Sequence, residues 1–288
     1  MSLIVSVFLV GVKVTAVKEL VVLVERRKEL KANLSLLLRK LEDDDLADWL
    51  GDIALDVVQR EEAIDAIAAD QVHTVVEDDG IDRGIAIFAQ YDNSSAPVTQ
   101  LKRSVTITRS ETKLDEAGRL LLGRAEAEVP AEPKEIIAYS LNYDGRHIQS
   151  DQDQAVDVRV ETVAKLNDHH VIIFNRKKLG SGLRDRTFLN AVIAKKVAET
   201  PPTYVLVVVP LKQHPKITPK DEAGAVRAES FRSYRFTEVS PGRTKIEYCC
   251  SLSLNGWVPQ LVTNKLAIPQ QVFYTHTHTH ALMSDTPP

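Results

Sequence analysis

Apolar and polar residues alternate with a period of two through two neighbouring runs in the C-terminal half of the chain. The run AVRAESFRSYRFTEV places one set on the same face: Val226, Ala228, Ser230, Tyr234 and Phe236. The run TKIEYCCSLSLNG does the same with Ile246, Tyr248, Cys250, Leu252 and Leu254. This period is typical of half-buried strands. Ser240 to Arg243 has turn composition, so the two runs predict a β-hairpin.

The period changes to that of a helix in the segment WVPQLVTNKLAIPQQVF. Pro259 suits the first helical turn, and Pro269 predicts a bend. The apolar stripe is either ordinary core or one wall of a ligand cavity, and it contains Val258, Leu261, Val262, Leu266, Ile268, Pro269, Val272 and Phe273.

Helical spacing also dominates the first quarter of the chain. Residues 14–42 and about 46–76 predict two helices, which form either an α-helical hairpin or a coiled-coil interaction segment. Glu77 to Gly80 is expected to be a break, so we assign residues 1–80 to an α-helical N-terminal region. Met1 to Val12 is apolar but shorter than a spanning helix requires, and it predicts a buried or membrane-surface helix.

Strand-like segments follow from Gly84 onward. The segments GIAIFAQY, LKRSVTITRS and GRLLLGRAEAEV predict strands, and PKEIIAYSLN predicts a short helix. Four further strands are expected in VRVETVAKL, HHVIIFNRKK, RTFLNAVIAKKV and TYVLVVVPL, the first with Val158, Val160, Thr162, Ala164 and Leu166 on one face. Strands segregated from helices predict an α+β fold, with a curved antiparallel sheet wrapped on the C-terminal helix over residues 81–288.

Composition narrows the possible functions. The 288 residues are 44% hydrophobic and 26% charged, with a net charge of −4, which gives no basic surface for nucleic acid. Cys249 and Cys250 are adjacent and should point to opposite faces of a strand. They suit neither a disulfide framework nor a metal site, which favours a reducing cytoplasmic setting, with peripheral membrane contact left open.

The sequence contains no pattern typical of a catalytic or metal site. Nucleophile-elbow, zinc-protease and phosphate-loop motifs are absent, so no catalytic residue, metal ligand or cofactor is predicted. His169 and His170 should face opposite ways, which makes a solvated turn pair the expected arrangement. His276, His278 and His280 fall in a low-complexity tail.

A glycine-containing segment, LGSGL, connects two of the predicted strands. It is either a plain connection or a hinged lid over a cavity, comprising Leu179, Gly180, Ser181, Gly182, Leu183, Arg184 and Asp185. Arg184 and Asp185 are expected to brace this loop through a salt bridge.

Several of these pieces together resemble the START domain, the lipid-transfer module related to the steroidogenic acute regulatory protein. The resemblance covers roughly Asp157 to Phe273, and its motifs are Arg184-Asp185, Val226 to Glu229, Thr244, Gly256 to Pro259 and Asn264. It implies a helix-grip fold, an internal lipid cavity and a gating function for the LGSGL loop. Asn175 and Asn190 occupy the positions where some sterol-binding relatives carry a charged pair.

These observations predict a non-enzymatic protein that binds a lipid and transfers it between membranes. The lipid is a sterol, a phospholipid or another apolar metabolite, and the membrane contact is transient. A polar anchor is expected because a buried, unpaired head group costs about 1–3 kcal/mol. The predicted lipid-binding residues are Ile173, Asn175, Asn190, Val226, Ala228, Ser230, Tyr234, Ile246, Tyr248, Cys250, Leu252, Val258, Leu261, Val262 and Leu266. The alternative is a lipid-sensing module whose N-terminal helices bind a protein partner or a membrane.

Overall fold

A computed structural model of the chain describes residues 67, 72–100, 107–114, 120–141, 157–179 and 182–256. Backbone contacts divide the chain into two compact units, Met1–Glu62 and Ala63–Pro288. The first unit, including the apolar N-terminus, lies outside the described residues. So do the C-terminal helix and its predicted lipid contacts Val258, Leu261, Val262 and Leu266. The division between residues 80 and 81 stays a prediction.

Ten strands form one large sheet, which confirms the predicted α+β class with a curved antiparallel sheet. The spatial order is β1-β2-β3-β10-β9-β7-β6-β5-β4, all antiparallel, with β8 pairing parallel to β6. The strands are β1 (Val98–Gln100), β2 (Ile107–Leu114), β3 (Leu120–Val129), β4 (Asp157–Asn167), β5 (His170–Lys177), β6 (Arg186–Glu199), β7 (Pro202–Pro210), β8 (Val226–Arg227), β9 (Glu229–Ser240) and β10 (Arg243–Ser253).

The predicted hairpin is confirmed as β9 and β10. Tyr248 lies opposite Tyr234 and Ile246 lies opposite Phe236, so the apolar positions of both strands share one face. Gly242 in the connecting turn has a φ of 70°, which favours glycine because its missing Cβ removes the steric penalty.

The first described helix contradicts two predictions. Helix α1 spans Val75–Asn93, so Glu77 to Gly80 is not a break and GIAIFAQY is not a strand. Thr74 and Glu77 form a capping box: the Thr74 hydroxyl accepts from the Glu77 amide, and the Glu77 carboxylate accepts from the Thr74 amide at 2.7 Å. Two reciprocal bonds at the first turn therefore stabilise a helix where the acidic cluster suggested a loop.

Helix α1 covers one face of the sheet, which we call the α1 face. Ile81 packs on Ile193 and Val207, while Phe88 and Tyr91 belong to a second cluster with Phe231 and Cys249. The helix approaches most closely at Gly84, where an added Cβ would overlap Cγ1 of Val207. Glycine at this position permits the contact between helix backbone and sheet.

The opposite face carries helix α2 (Pro133–Leu141), which confirms the predicted short helix, and we call it the α2 face. Ile136 and Ile137 are fully buried there against Tyr204, Phe236 and Ile246. Ile67 belongs to the same cluster. Neither α1 nor α2 is long and apolar enough to cross a membrane.

The adjacent cysteines are divided between the two faces, as predicted. Cys249 joins the α1-face cluster and Cys250 joins the α2-face cluster, and both are free thiols. Strand β4 departs from its predicted single apolar face. A β-bulge between Thr162 and Ala164 turns Val163 into a buried cluster with Phe174, and Leu166 is exposed.

Candidate functional site: the α2 face of the sheet

Strand register defines which side chains share the α2 face. Across the middle of the sheet, Val192, Val208, Arg232 and Cys250 occupy directly paired positions on β6, β7, β9 and β10. The neighbouring row contains Leu206, Tyr234 and Tyr248, with the Tyr234 and Tyr248 ring centroids 4.8 Å apart. The face is therefore apolar and aromatic with polar groups at particular positions.

The structure brings most of the described candidate residues together on this face. One buried cluster contains Ile173, Tyr234, Ile246, Tyr248 and Cys250. Asn190 on β6 pairs with Ile173, and Asn175 lies two residues after Ile173 on β5. Ser230 on β9 pairs with Leu252 on β10. All three polar residues are buried. Their contact with a ligand stays a prediction.

Three other candidate residues lie at the end of the face near the predicted lid loop. Ala228 is buried in a small cluster with Phe188 and Leu254, against which Leu252 packs. Val226 is half-buried on β8 and pairs with Arg186 on β6. These residues form an edge of the site rather than part of its central cluster.

Buried polar atoms without hydrogen-bond partners occur on both faces of the sheet, and on the α2 face they lie within a largely apolar surface. Asn190 is 1% exposed, and neither its Oδ1 nor its Nδ2 has a partner in the part of the chain that the structure describes. The same holds for Oδ1 of Asn175 and for the hydroxyl of Tyr248, which is 0% exposed. Burial raises the pKa of the Tyr248 hydroxyl well above its usual value, so the group is a neutral donor. Unsatisfied polar groups of this kind are rare in folded proteins and indicate a missing partner.

Arg232 is a functional candidate that the sequence reasoning missed. It lies on the α2 face because it is paired with Val208 on one side and Cys250 on the other. The alternation that places Ser230 and Tyr234 on this face places Arg232 there as well, so the signal was present in the sequence. A charged residue at an inward position of a strand is a stronger indication of function than its apolar neighbours.

The predicted lid loop is described at Leu179 and at residues 182–185, while Gly180 and Ser181 lie outside. Gly182 has a φ of 73° and no atom within 4 Å of an added Cβ, so the loop is loosely surrounded there. Asp185 accepts from Nε of Arg176 at 2.8 Å, and Arg184 donates to the carbonyl of Ala225 at 2.7 Å. The brace therefore exists, but Arg184 and Asp185 use different partners rather than each other. The gating function of the loop stays a prediction.

Arg186, directly after this loop, was also missed. It is 1% exposed, and among the residues that the structure describes its guanidinium donates to backbone carbonyls, including those of Leu254 at 2.7 Å and Asn255 at 3.1 Å. Burial, followed by the nearby Arg184 charge, lowers the pKa of Arg186. The side chain ties the start of β6 to the end of β10, immediately before the segment that leads to residue 257.

The prediction that His169 and His170 form a solvated turn pair is wrong. Both are buried, and Nδ1 of His170 lies 2.7 Å from Oε1 of Glu77 at the start of α1. The His169 ring lies 4.1 Å from that of His73, measured between centroids. Within the described ranges, no group of three or more His, Cys, Asp or Glu side chains is placed to hold a metal ion. The cluster therefore anchors α1 to the β4–β5 turn.

The family model of the START domain matches residues 92–287, which is more than half of the chain. The chain belongs to the START family. Among curated proteins, no sequence matches it. START domains bind lipids and in general are not enzymes, so membership supports a general lipid-binding role.

Solved structures of START proteins share the fold at low sequence identity. Human STARD10 is 16% identical, with a TM-score of 0.54 over 76% of this chain and 83% of that chain. Human StAR-related lipid transfer protein 5 is 17% identical, with a TM-score of 0.51 over 71% and 94%. A fragment of a STAR-related lipid transfer protein from Xanthomonas axonopodis is 13% identical, with a TM-score of 0.51 over 65% and 99%.

Proposed function

We propose that this START protein binds a lipid on the α2 face of its sheet and transfers it between membranes without chemical change. The observation that carries the proposal is the set of buried polar atoms of Asn175, Asn190 and Tyr248 that lie within an apolar surface and have no hydrogen-bond partner in the described ranges. An apolar surface binds hydrocarbon through the hydrophobic effect, and fixed polar groups orient the ligand by hydrogen bonding to it.

Energetics favour a bound ligand over an empty site. Each buried polar group without a partner costs about 1–3 kcal/mol, so the folded protein is stabilised when a ligand supplies those hydrogen bonds. The C-terminal helix and the loop from Leu179 to Asp185 are proposed to open at a membrane surface and to close over the lipid. Membrane contact is therefore transient in this mechanism.

Native mass spectrometry of freshly purified full-length protein tests the binding. We expect a co-purifying mass in the lipid range, which organic extraction releases. A vesicle-exchange assay with a fluorescent phospholipid and a fluorescent sterol then tests transfer. The protein should raise the exchange rate of one of them in proportion to its concentration. Protein free of lipid that also catalyses no exchange would contradict the proposal.

The alternative, a lipid-sensing module, requires the first unit for its activity, whereas the lipid carrier does not. A variant that lacks residues 1–62 keeps Thr74, Glu77 and all described strands, so it separates the two units at their boundary. Full exchange activity by this variant supports the carrier. Retained lipid with loss of exchange, together with loss of membrane or protein binding, would favour a sensor that acts through the N-terminal helices.

A further inference from the structure

The connection between β7 and β8 is long and closely held. Residues 211–225 contain neither helix nor strand, and we call them the β7–β8 loop. Ile217 of this loop packs against the cluster that contains Phe174 and Leu189. Leu189 directly precedes Asn190 on β6, so strand alternation places this contact on the α1 side of the sheet, away from the proposed lipid site. Ordered connections of more than about 12 residues without secondary structure are uncommon and usually have a function.

Thr218 begins a hydrogen-bonded turn in the middle of this loop. Its amide and its hydroxyl both donate to Oδ2 of Asp221, at 2.8 and 2.6 Å, and the Asp221 amide donates to the Thr218 carbonyl at 3.0 Å. The other carboxylate oxygen accepts from Nη1 of Arg159, on the edge strand β4, at 2.7 Å. Hydrogen bonds from Arg159 and then from Thr218 lower the pKa of Asp221, so its carboxylate is ionised at neutral pH. One carboxylate therefore closes the turn and ties the loop to the sheet.

Thr218 and the proline that follows it, Pro219, are both exposed. Serine or threonine followed by proline is the dipeptide that proline-directed protein kinases phosphorylate, and a kinase binds its substrate as an extended segment. Residues 212–220 belong to no strand, so they can adopt that form with the loss of one turn. Thr200 and Ser240 also precede prolines, but they lie at the tight β6–β7 and β9–β10 turns, between paired strands. Among the described residues, Thr218 is therefore the acceptor hydroxyl most open to such a kinase.

Phosphorylation would change what the Thr218 oxygen binds. The kinase transfers the γ-phosphoryl group of ATP to Oγ1, the hydroxyl proton passes to a base of the kinase or to solvent, and ADP leaves. The phosphate carries a charge of about −1.5 to −2 and accepts hydrogen bonds, so it repels the Asp221 carboxylate to which the hydroxyl donated. Because Asp221 bridges Thr218 and Arg159, the Arg159 guanidinium lies within reach of the phosphate, which is a strong partner for arginine. The turn that Asp221 closes would therefore open.

The same loop supports the predicted lid loop. Nη1 of Arg176 donates to the Ala223 carbonyl at 3.1 Å, and Nη2 of Arg184 donates to the Ala225 carbonyl at 2.7 Å. Arg176 lies on β5 just before the lid loop, and Arg184 belongs to it. Consecutive hydrogen-bonded turns connect Asp221 with Ala223 and Ala225, so a change at Asp221 moves the carbonyls that both arginines bind. The β7–β8 loop thus connects an exposed hydroxyl on the α1 side with a segment at the edge of the proposed lipid site.

We propose that Thr218 is an acceptor site for a proline-directed protein kinase, and that its phosphate separates Asp221 from Arg159 and releases the lid loop from the β7–β8 loop. The modification thereby raises the rate of lipid exchange. This last step rests on the proposed lipid transfer. The phosphorylation and the release of the loop do not depend on it.

The first test is phosphorylation of the full-length protein in vitro. A cyclin-dependent kinase and a mitogen-activated protein kinase are each supplied with ATP, and mass spectrometry assigns the phosphate to individual residues. We expect phosphate on Thr218 and slower incorporation at Thr200 and Ser240. Pro219→Ala should lose most of the signal at residue 218, and Thr218→Val should lose all of it.

A synthetic peptide with the sequence of residues 211–225 separates recognition from access. Phosphorylation of the peptide but not of the protein would show that the fold protects Thr218. Phosphorylation of neither would show that these kinases do not recognise the sequence. Either result would overturn the inference.

Hydrogen exchange compares the phosphorylated protein with the unmodified protein. We expect the amides of residues 211–225 and 182–186 to exchange roughly five-fold faster after phosphorylation, as the loss of one hydrogen bond of ordinary strength predicts, while the β9–β10 hairpin stays unchanged. Asp221→Asn, which weakens the bond to Arg159 without a phosphate, should give part of this increase. Ser240→Glu, which adds negative charge at an exposed turn, should give none. Equal exchange in the two forms of the protein would refute the release of the loop.

The fluorescent phospholipid and sterol of the vesicle-exchange assay measure the functional consequence. Phosphorylation of Thr218 should raise the exchange rate roughly five-fold, and Asp221→Asn should raise it by a smaller factor. An unchanged rate in a phosphorylated protein that does transfer lipid would overturn the regulatory step. Absence of transfer in both forms would instead contradict the proposed function, and the phosphate assignment and hydrogen exchange would still decide whether Thr218 controls the loop.

Discussion

The two faces of this sheet are built from the same strands but differ in how closely a helix packs on them and in which polar groups they bury. On the α1 face, α1 lies close enough at Gly84 that a methyl group has no room, and the surrounding charges are paired. Arg124, for example, donates to Asp92 at 2.7 Å and lies 3.4 Å from Glu247. On the α2 face, Asn175, Asn190 and Tyr248 keep polar atoms that have no partner among the described residues, in an apolar surrounding.

This difference separates stability from binding. Close packing of α1 on the sheet stabilises the fold and leaves no room for a ligand at Gly84, although Tyr91, Arg124 and Ser233 on this face also keep a buried polar atom without a hydrogen-bond partner among the described residues. Unpartnered polar atoms destabilise the free protein and become favourable only when a ligand supplies their partners. Because successive strand residues alternate in direction, one strand contributes to the packing of the α1 face and to the proposed binding site on the α2 face, as the opposite positions of Cys249 and Cys250 illustrate.

The largest expected effect comes from breaking the packing of the α1 face. Gly84→Ala should lower the free energy of unfolding by about 2 kcal/mol, because the new Cβ overlaps Val207 and separates α1 from the sheet. Gly80→Ala is the matched control on the same helix. There the new Cβ lies 3.4 Å from Ile193, so alanine should be neutral or stabilise by up to about 1 kcal/mol. Urea denaturation measures both. Equal effects at the two glycines would show that α1 does not pack as described.

Alternation made much of the sheet predictable. Strands β5, β6, β7, β9 and β10 follow from their period of two, and the facing residues of the β9–β10 hairpin follow from its turn. The same alternation contained Arg232, so that residue could have been predicted from the inward positions of Ser230 and Tyr234. Local pattern is sufficient here because strand geometry fixes the direction of each side chain.

Helix α1 shows why other features escaped prediction. Eight residues of GIAIFAQY fit either period, and the acidic cluster before them suggested a loop. The spacing of Thr74 and Glu77 is that of a capping box, which was the available signal for a helix start. No local signal indicates that His169 and His170 are buried, because their contact with Glu77 joins residues more than ninety positions apart.

Acidification should affect the α1 face more than the α2 face, because His169, His170 and Glu77 anchor α1 to the β4–β5 turn. Burial, followed by the nearby His73, lowers the pKa of His169 below its usual 6.5, so the unfolded chain takes up a proton there before the folded protein does. Stability should therefore fall as the pH drops below about 6.5. Although burial alone would raise the Glu77 pKa, hydrogen bonds from Thr74, His170 and Asn167 lower it overall, so the contribution of Glu77 is lost below its usual pKa of 4.5.

Urea denaturation at pH 7.5 and pH 5.5 measures the first step. His169→Gln should reduce the loss of stability between these two pH values, whereas His214→Gln, in the loop after β7, should leave it unchanged. Lipid binding measured at the same pH values should change less than stability, because the anchor lies on the α1 face, opposite the proposed lipid site. An identical pH response in wild type and His169→Gln would refute this assignment.

The smallest expected effect compares directly a buried hydroxyl that is proposed to bind the ligand with one that stabilises the fold. Tyr248→Phe removes one unpartnered hydroxyl from the α2 face without a change in shape, so the lipid-free protein should gain up to about 1 kcal/mol of stability. Thr244→Val is the control, because the buried Thr244 hydroxyl already donates to the Ala131 carbonyl at 2.6 Å, and its loss should cost about 1 kcal/mol. Thermal unfolding of lipid-free protein measures whether each variant gains or loses stability.

Lipid retention by the same two variants is the second test. Tyr248→Phe should lower retention while Thr244→Val leaves it near wild type. A Tyr248→Phe protein that is both less stable and fully able to bind lipid would mean that the hydroxyl belongs to the fold rather than to the ligand site.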